Sequence, residues 1–379
     1  NTGGGTPTID FGGGYAYTDG EGFPYIVMHP DLVSYYGWGQ SYAEYPDSTA
    51  AHEFYHTLQS TSDTYVYWGQ TGWYWEATAN WVVPYVWPEY DSTAGQVGTY
   101  ALLPHYPLFW FDYPDTGTFI ESRHYAAQIF PRFLTMDVAD YTVVRDSWDA
   151  DGTWSDPMDA LDELLVPFDS SLDVAFADFT ARMVTFDMSF GTLYAQDTAA
   201  TADWYPEEDH RIAVDVPATG TEDWVEAPSE TQPWSWGFNT IRMSLPPDGT
   251  MTLGFRGASQ GSRGSEPGWA VHVVRMGPRD ASYEPLELVD GEGELFIEDT
   301  TDDTAIYLVA ATLPETRRDD ERFSFSYRFL PEPFPDEEPE EEEEEEKVGC
   351  GCDGSRSAGG IGLFALVGAL LAARRRVGR

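Results

Sequence analysis

Lysine is all but missing from this chain. The only one is Lys347, and each of the 14 basic residues in positions 1–330 is arginine. The same positions hold 53 acidic residues, which gives them a net charge of -39 within a whole-chain charge of -45. That balance excludes nucleic acid as a partner, because phosphate binding needs a basic patch. Two origins of the bias stay open. A carboxylate-rich, lysine-poor surface remains hydrated in brine, where salt screens its self-repulsion. Codon usage in a GC-rich genome also favours arginine over lysine, without selection on charge. Cysteine is nearly as scarce. Cys350 and Cys352 are the only two, so residues 1–330 form no internal disulfide. Long apolar runs are also rare. The one that stands out, residues 358–373, is Gly-rich and only 16 residues long, short of the roughly 20 that a membrane-spanning helix needs. No Gly-rich phosphate loop opens a helix, since the glycines at 12–14 have no lysine after them.

Aromatic residues, by contrast, are abundant, with 14 Trp, 23 Tyr and 21 Phe. Most are expected to pack cores. Histidine is used sparingly, seven times, yet two of the seven fall in His52-Glu53-Phe54-Tyr55-His56. On an α-helix, residues four apart share one face. His52 and His56 can therefore aim two imidazoles at one ion, with Glu53 close enough to hold a water there. Asp47, Ser48 and Thr49 are N-cap candidates for this helix, Ala50, Ala51, Phe54, Tyr55 and Leu58 make its apolar side, and Ser60 to Asp63 ends it. A second helix is expected from Thr71-Gly72 up to Pro84, where proline stops it. It carries Glu76, the best third ligand, among Trp73, Trp75 and Trp81. A lone carboxylate there is costly to bury without a partner, and a metal removes that cost. Asn80, four residues on, can hydrogen-bond a ligand histidine from behind.

His-Glu-x-x-His followed by a helix bearing Glu76 and Asn80 resembles the gluzincin metallopeptidases. The resemblance implies Zn2+ held by His52, His56 and Glu76, with Glu53 as general base and then acid. Asn80 stands where many gluzincins carry an aspartate that orients the first ligand histidine. The wider context, residues 49–56 with 75–81, resembles a group of exported myxobacterial metalloprotease-like proteins. That likeness extends loosely over residues 1 to about 215. The implied reaction is hydrolysis of a protein or peptide substrate. It needs a donor to the tetrahedral oxyanion, for which Tyr125, His124, His105 and Tyr106 are the candidates.

Taken in order, residues 1–22 are expected to be irregular, and Tyr25 to His29 a strand bordering the cleft. Residues 82–114 read as loops lining that cleft, and their aromatics hint at bulky apolar substrate side chains. A helix is expected over residues 120–136, kinked at Pro131, followed by helices near 143–148, 159–165 and 172–186. From about residue 215, short alternating strands with turn signals predict an antiparallel β-sandwich. Asp149, Asp151 and Asp156 suggest Ca2+ binding, although no glutamate completes an EF-hand. The fold class is thus expected to be α+β. A mainly helical zincin-like domain with an N-terminal strand region spans 1–214, and a β-sandwich domain spans 215–330. An acidic linker follows at 331–348, and a sorting segment with a hydrophobic helix at 349–379.

That last segment joins Cys350 and Cys352, the apolar stretch and Arg374 to Arg376. It resembles the MYXO-CTERM sorting signal, which implies a sorting protease acting near Cys350 or Cys352. The membrane is then met only through that helix, and the body is exported to the cell surface. A start at Asn1 rather than Met is expected where a signal peptide or pro-segment has been removed. A short permanent anchor is the other reading of the tail. For the whole, the competing class is a surface adhesin or binding protein with a structural zinc.

Overall fold

The structure is a computed structural model. It describes residues 13–29, 45–62, 64–65, 69–87, 97–112, 118–149, 154–221, 223–245 and 249–331. The acidic linker from residue 332, the cysteine motif, the apolar stretch at 358–373 and residues 150–152 of the expected calcium loop lie outside these. Among the described residues no helix is long and apolar enough to cross a membrane. The fold is α+β, a helical region followed by two facing sheets.

The described chain opens with a hairpin. β1 (Gly14–Thr18) and β2 (Pro24–Met28) pair antiparallel, with Ala16 opposite Ile26. Asp19 accepts the backbone N–H groups of Glu21 and Phe23 and closes the turn. β1 corrects the expectation of irregular chain up to residue 22. Its signal, Tyr15 and Tyr17 alternating with small residues, is diluted by the surrounding glycines.

α1 (Tyr45–Gln59) carries the His-Glu-x-x-His segment, and α2 (Gly72–Val86) packs on it. α1 starts before the expected cap residues, so Asp47 lies in its first turn. It ends as expected, because Ser60, Thr61 and Ser62 donate their hydroxyls to the carbonyls of His56, Leu58 and Gln59. The expected apolar side holds only in part, since Tyr55 packs against the core while Phe54 and Leu58 are exposed. The buried positions on this helix include Glu53, Thr57 and Gln59, all polar.

α2 runs past Pro84 to Val86. Proline cannot donate to the carbonyl four residues back, which is that of Asn80. Arg132, buried, reaches that carbonyl instead at 3.5 Å. The tryptophans around Glu76 face inward, and Trp73, Trp75 and Trp81 are all buried. They pack the core and do not line an open cleft.

Residues 82–114 hold more helix than expected, with the end of α2 and α3 (Val97–Leu102). The single helix expected over 120–136 is broken into α4 (Arg123–Ala126), α5 (Ile129–Phe133) and a π turn over Leu134–Val138. The break falls before Pro131, which then sits in the first turns of α5, where its missing N–H costs little. α6 (Thr142–Asp146), α7 (Pro157–Leu165) and α8 (Leu172–Met183) lie where the apolar period puts them. α9 (Gly191–Trp204) gives little periodic signal, because it buries only Gly191, Tyr194 and Thr198.

Two sheets follow, ordered β3-β5-β10-β7-β8 and β4-β11-β6-β9. The first contains β3 (Val214–Val216), β5 (Phe238–Met243), β7 (Ala270–Met276), β8 (Ala281–Pro285) and β10 (Ala305–Ala311). The second contains β4 (Val225–Glu226), β6 (Met251–Gly257), β9 (Glu292–Ile297) and β11 (Phe325–Leu330). Pairing is antiparallel except between β3 and β5, which run parallel. Ile241, Val273 and Leu308 from one sheet share a core with Leu253, Phe255 and Phe325 from the other. This is a sandwich.

A third layer lies behind the five-stranded sheet. Along β10, Ile306, Leu308 and Ala310 face the sandwich interior, while Val309 and Ala311 join the helical core. Phe238 and Val274 do the same beside Phe176 and Phe179. Strands apolar on both faces are what a sheet covered on both sides requires. The helical region and the back of the five-stranded sheet therefore share one core, and the two sheets enclose another.

Asp197 on α9 accepts the N–H of Gly98 at the start of α3. Burial pushes its carboxyl up to about 6, partly offset by that bond. A carboxyl raised in the folded state costs stability once ionised. The cost is absent below the unfolded value near 4 and is complete above 6. Asp197→Asn keeps an acceptor for Gly98 and removes the charge. Urea unfolding is expected to show the variant about 2–3 kcal/mol more stable at pH 7.5, with the gap nearly closed at pH 4. A variant no more stable than the parent at pH 7.5 would rule this out.

Candidate metal centre

Helix α1 presents His52 and His56 one turn apart, and α2 brings Glu76 against them. The Nε2 atoms of the two histidines lie 3.0 Å apart. Glu76 Oε2 is 3.2 Å from His52 Nε2 and 3.3 Å from His56 Nε2. Three ligand atoms about 2.05 Å from a tetrahedral zinc are about 3.3 Å from one another. The observed triangle matches one face of that tetrahedron. Among the described residues no other cluster of His, Cys, Asp or Glu converges in this way.

The backs of both imidazoles are fixed. His52 Nδ1 is 2.7 Å from Asn80 Oδ1, and the Asn80 amide nitrogen donates to the Tyr125 carbonyl at 3.3 Å. His56 Nδ1 is 2.6 Å from Gln59 Oε1, and Gln59 Nε2 donates to the Trp75 carbonyl and to Thr78 Oγ1. A carbonyl only accepts, so each amide must turn its NH2 to the carbonyl and its oxygen to the histidine. Both Nδ1 atoms then carry hydrogen. Both Nε2 lone pairs point at the same place, an arrangement that calls for a cation between them.

The electrostatics agree. Burial alone would push the Glu76 carboxyl up, but His56 and His52 hold it well below the usual carboxylate range. Burial pulls the His56 imidazole down, and Glu76, then Glu53 and Gln59, raise it to about 9. Without metal, a proton on the group meets the same demand that a divalent cation would meet, and metal binding displaces it. The donor set, two neutral imidazoles and one carboxylate on rigid helices, fits zinc with a coordination position left open.

Glu53 sits beside this triangle, not in it. It is 7 % exposed, and its Oε2 has no hydrogen-bond partner among the described residues. The backbone of Ala16 on β1 bonds to its carboxyl. The hairpin register turns the Ala16 N–H to the edge of β1 that β2 leaves free. The strand that contacts Glu53 is therefore β1, and β2, the strand expected at Tyr25 to His29, pairs along its other edge. A Cβ at Gly14 would lie 3.1 Å from Glu53 Cγ and 3.0 Å from Met28 Sδ, so this close approach favours glycine. Burial pushes the Glu53 carboxyl up, against the pull of His52 and His56.

The candidate oxyanion donors separate. The Tyr125 ring lies 6.0 Å from the His52 ring and is half-buried. His124 is buried against Phe111 and Tyr125. His105 packs on His210, and its carbonyl accepts the N–H of Trp234 at the seam with the sandwich. Burial, with His210, Arg123 and Arg322 nearby, pulls the His105 imidazole down to about 3. Tyr106 stacks on Trp234. Of the four, Tyr125 is the one whose ring contact is with a candidate metal ligand. Of the aspartates read for calcium, Asp156 caps α7 through the N–H of Met158 and pairs with Arg317. Gln59 was missed at the sequence level. Its signal was its place three residues after His56 on the same helix face.

No curated protein matches this chain. Over residues 38–330, which include both helices of the candidate centre and the sandwich, the chain matches the family of unknown function DUF6055, and it belongs to that family.

Proposed function

We propose that this chain is an exported zinc-dependent endopeptidase. The observation that carries the proposal is the triangle of His52, His56 and Glu76, with a buried carboxylate oxygen of Glu53 beside it that has no hydrogen-bond partner among the described residues. Zinc held there would polarise a scissile carbonyl and make a water acidic near neutral pH. The chain's own groups supply the rest. Asn80 and Gln59 fix the imidazoles, and Glu76 balances charge. Glu53 Oε2 takes a proton from a water and delivers it to the leaving amine, and its raised pKa brings it nearer to that task. The half-buried Tyr125, beside His52, is the donor we assign to the developing oxyanion. The cell-surface location rests on the tail pattern of the sequence.

The test is to purify the chain, measure bound zinc and assay cleavage of an unfolded protein before and after chelation. One zinc per chain, activity lost with the metal and restored by zinc, is the expected result. Zinc without cleavage of any of several unfolded proteins, at low and high salt, would replace the peptidase with a binding protein. Absence of zinc uptake would remove the metal centre itself.

A further inference from the structure

Resting on that metal reading, we propose that Gln59 is a positioning residue of the centre. It locks His56 in the tautomer that presents Nε2, and the role requires a carboxamide and not a carboxylate. Gln59 is buried, 2 % exposed, and both ends of its amide are engaged. Oε1 faces His56 Nδ1 at 2.6 Å, while Nε2 donates to the Trp75 carbonyl at 3.0 Å and to Thr78 Oγ1 at 2.9 Å. The Thr78 hydroxyl is committed in turn, donating to the Tyr74 carbonyl at 2.7 Å. One orientation of the amide satisfies every partner, and it leaves Gln59 Oε1 as an acceptor. His56 must then donate from Nδ1, which frees Nε2.

The same bonds tie α1 to α2 one residue before Glu76 and two residues after it. The side chain that orients the second histidine therefore also sets the distance to the carboxylate ligand. A glutamate at position 59 would still accept from His56. Its second oxygen would face the Trp75 carbonyl, acceptor against acceptor in a buried place. A carboxylate behind a ligand histidine commonly raises the ligand's basicity. Here the Trp75 carbonyl forbids it.

The experiment measures zinc affinity by competition with a chromophoric chelator, and the ligand-field spectrum of the Co2+ form. It compares the full chain with Gln59→Met, Gln59→Glu and Thr78→Val, with melting temperatures taken metal-free. Gln59→Met is expected to bind zinc about 10–100-fold more weakly, with an altered Co2+ spectrum. Gln59→Glu is expected to lose at least as much at pH 7.5. Thr78→Val removes one anchor of the amide without touching His56, and its loss should be smaller and in the same direction. It also reads the proposal if a Gln59 variant does not fold. A merely structural role would lower the metal-free melting temperature and leave affinity and spectrum unchanged, which would overturn the proposal. Rescue by Gln59→Glu to parental affinity would overturn the carboxamide requirement. A parent chain that binds no zinc overturns this inference together with the metal reading. A parent that binds zinc, with variants that bind it equally well, overturns this inference alone.

Discussion

Glu53→Gln is expected to lower kcat/KM for peptide cleavage by about 10³-fold, within the range set by general acid–base groups, while zinc content stays at the parental level. Both halves follow from where Glu53 lies. It is absent from the converging triangle, so replacing it removes no ligand. Its contact to the backbone of Ala16 needs only an acceptor oxygen, which glutamine retains, so β1 stays seated. The loss falls on the other oxygen, Oε2, which is buried and has no hydrogen-bond partner among the described residues. A buried carboxylate oxygen left unsatisfied costs about 1–3 kcal/mol or more, and a structural role would have given it a partner. An amide there cannot accept a proton, so the transfer fails while the scaffold stands. Metal analysis beside a fluorogenic peptide assay reads both quantities. A variant as active as the parent would remove Glu53 from the chemistry. A variant that loses zinc would make it a structural group.

The triangle of His52, His56 and Glu76 was legible because its signal is written in local spacing. Two histidines four apart and a glutamate isolated among tryptophans need no tertiary knowledge. What was hidden depends on partners distant in sequence. The stop expected at Pro84 fails because Arg132, on α5, takes the Asn80 carbonyl that proline abandons. The apolar side assigned to α1 holds only in part because Phe54 and Leu58 face out, and the buried face carries Glu53 and Gln59, which the centre needs. The strands after residue 215 were recognisable one by one. Apolar residues at successive positions 308–311 also carried a further message, that the sheet is covered from behind. A single strand pattern shows two buried faces but not which elements bury them. β1 was lost among glycines, and it is the strand that holds Glu53.

Glu76→Gln is expected to remove the chain's response to zinc, and to cost the metal-free chain the ion pair with His56 as well. The two readings of the triangle diverge in the response to zinc. If Glu76 were buried as half of a structural ion pair with His56, removing its charge would cost about 3–5 kcal/mol, and zinc would not matter to the parent. Glutamine, however, is nearly the same size, and its NH2 can donate to an Nε2 lone pair already held toward it by Asn80 or Gln59. The metal-free variant therefore keeps its hydrogen bonds and loses the charge that holds the proton on His56. As a ligand, a neutral amide oxygen neither replaces the carboxylate nor balances the cation. The loss should exceed the roughly 10–100-fold that follows removal of an outer partner of a metal ligand. At zinc near 100 times its dissociation constant, the parent should gain about 2.7 kcal/mol, or roughly 5 °C for a unit of this size. The variant should gain nothing at the same concentration. Thermal melts with and without zinc decide the matter. A metal-free variant destabilised by several kcal/mol beside a parent indifferent to zinc would make the three residues an ion-pair network. A parent stabilised by zinc beside a variant that zinc leaves unchanged makes them the ligands of a metal.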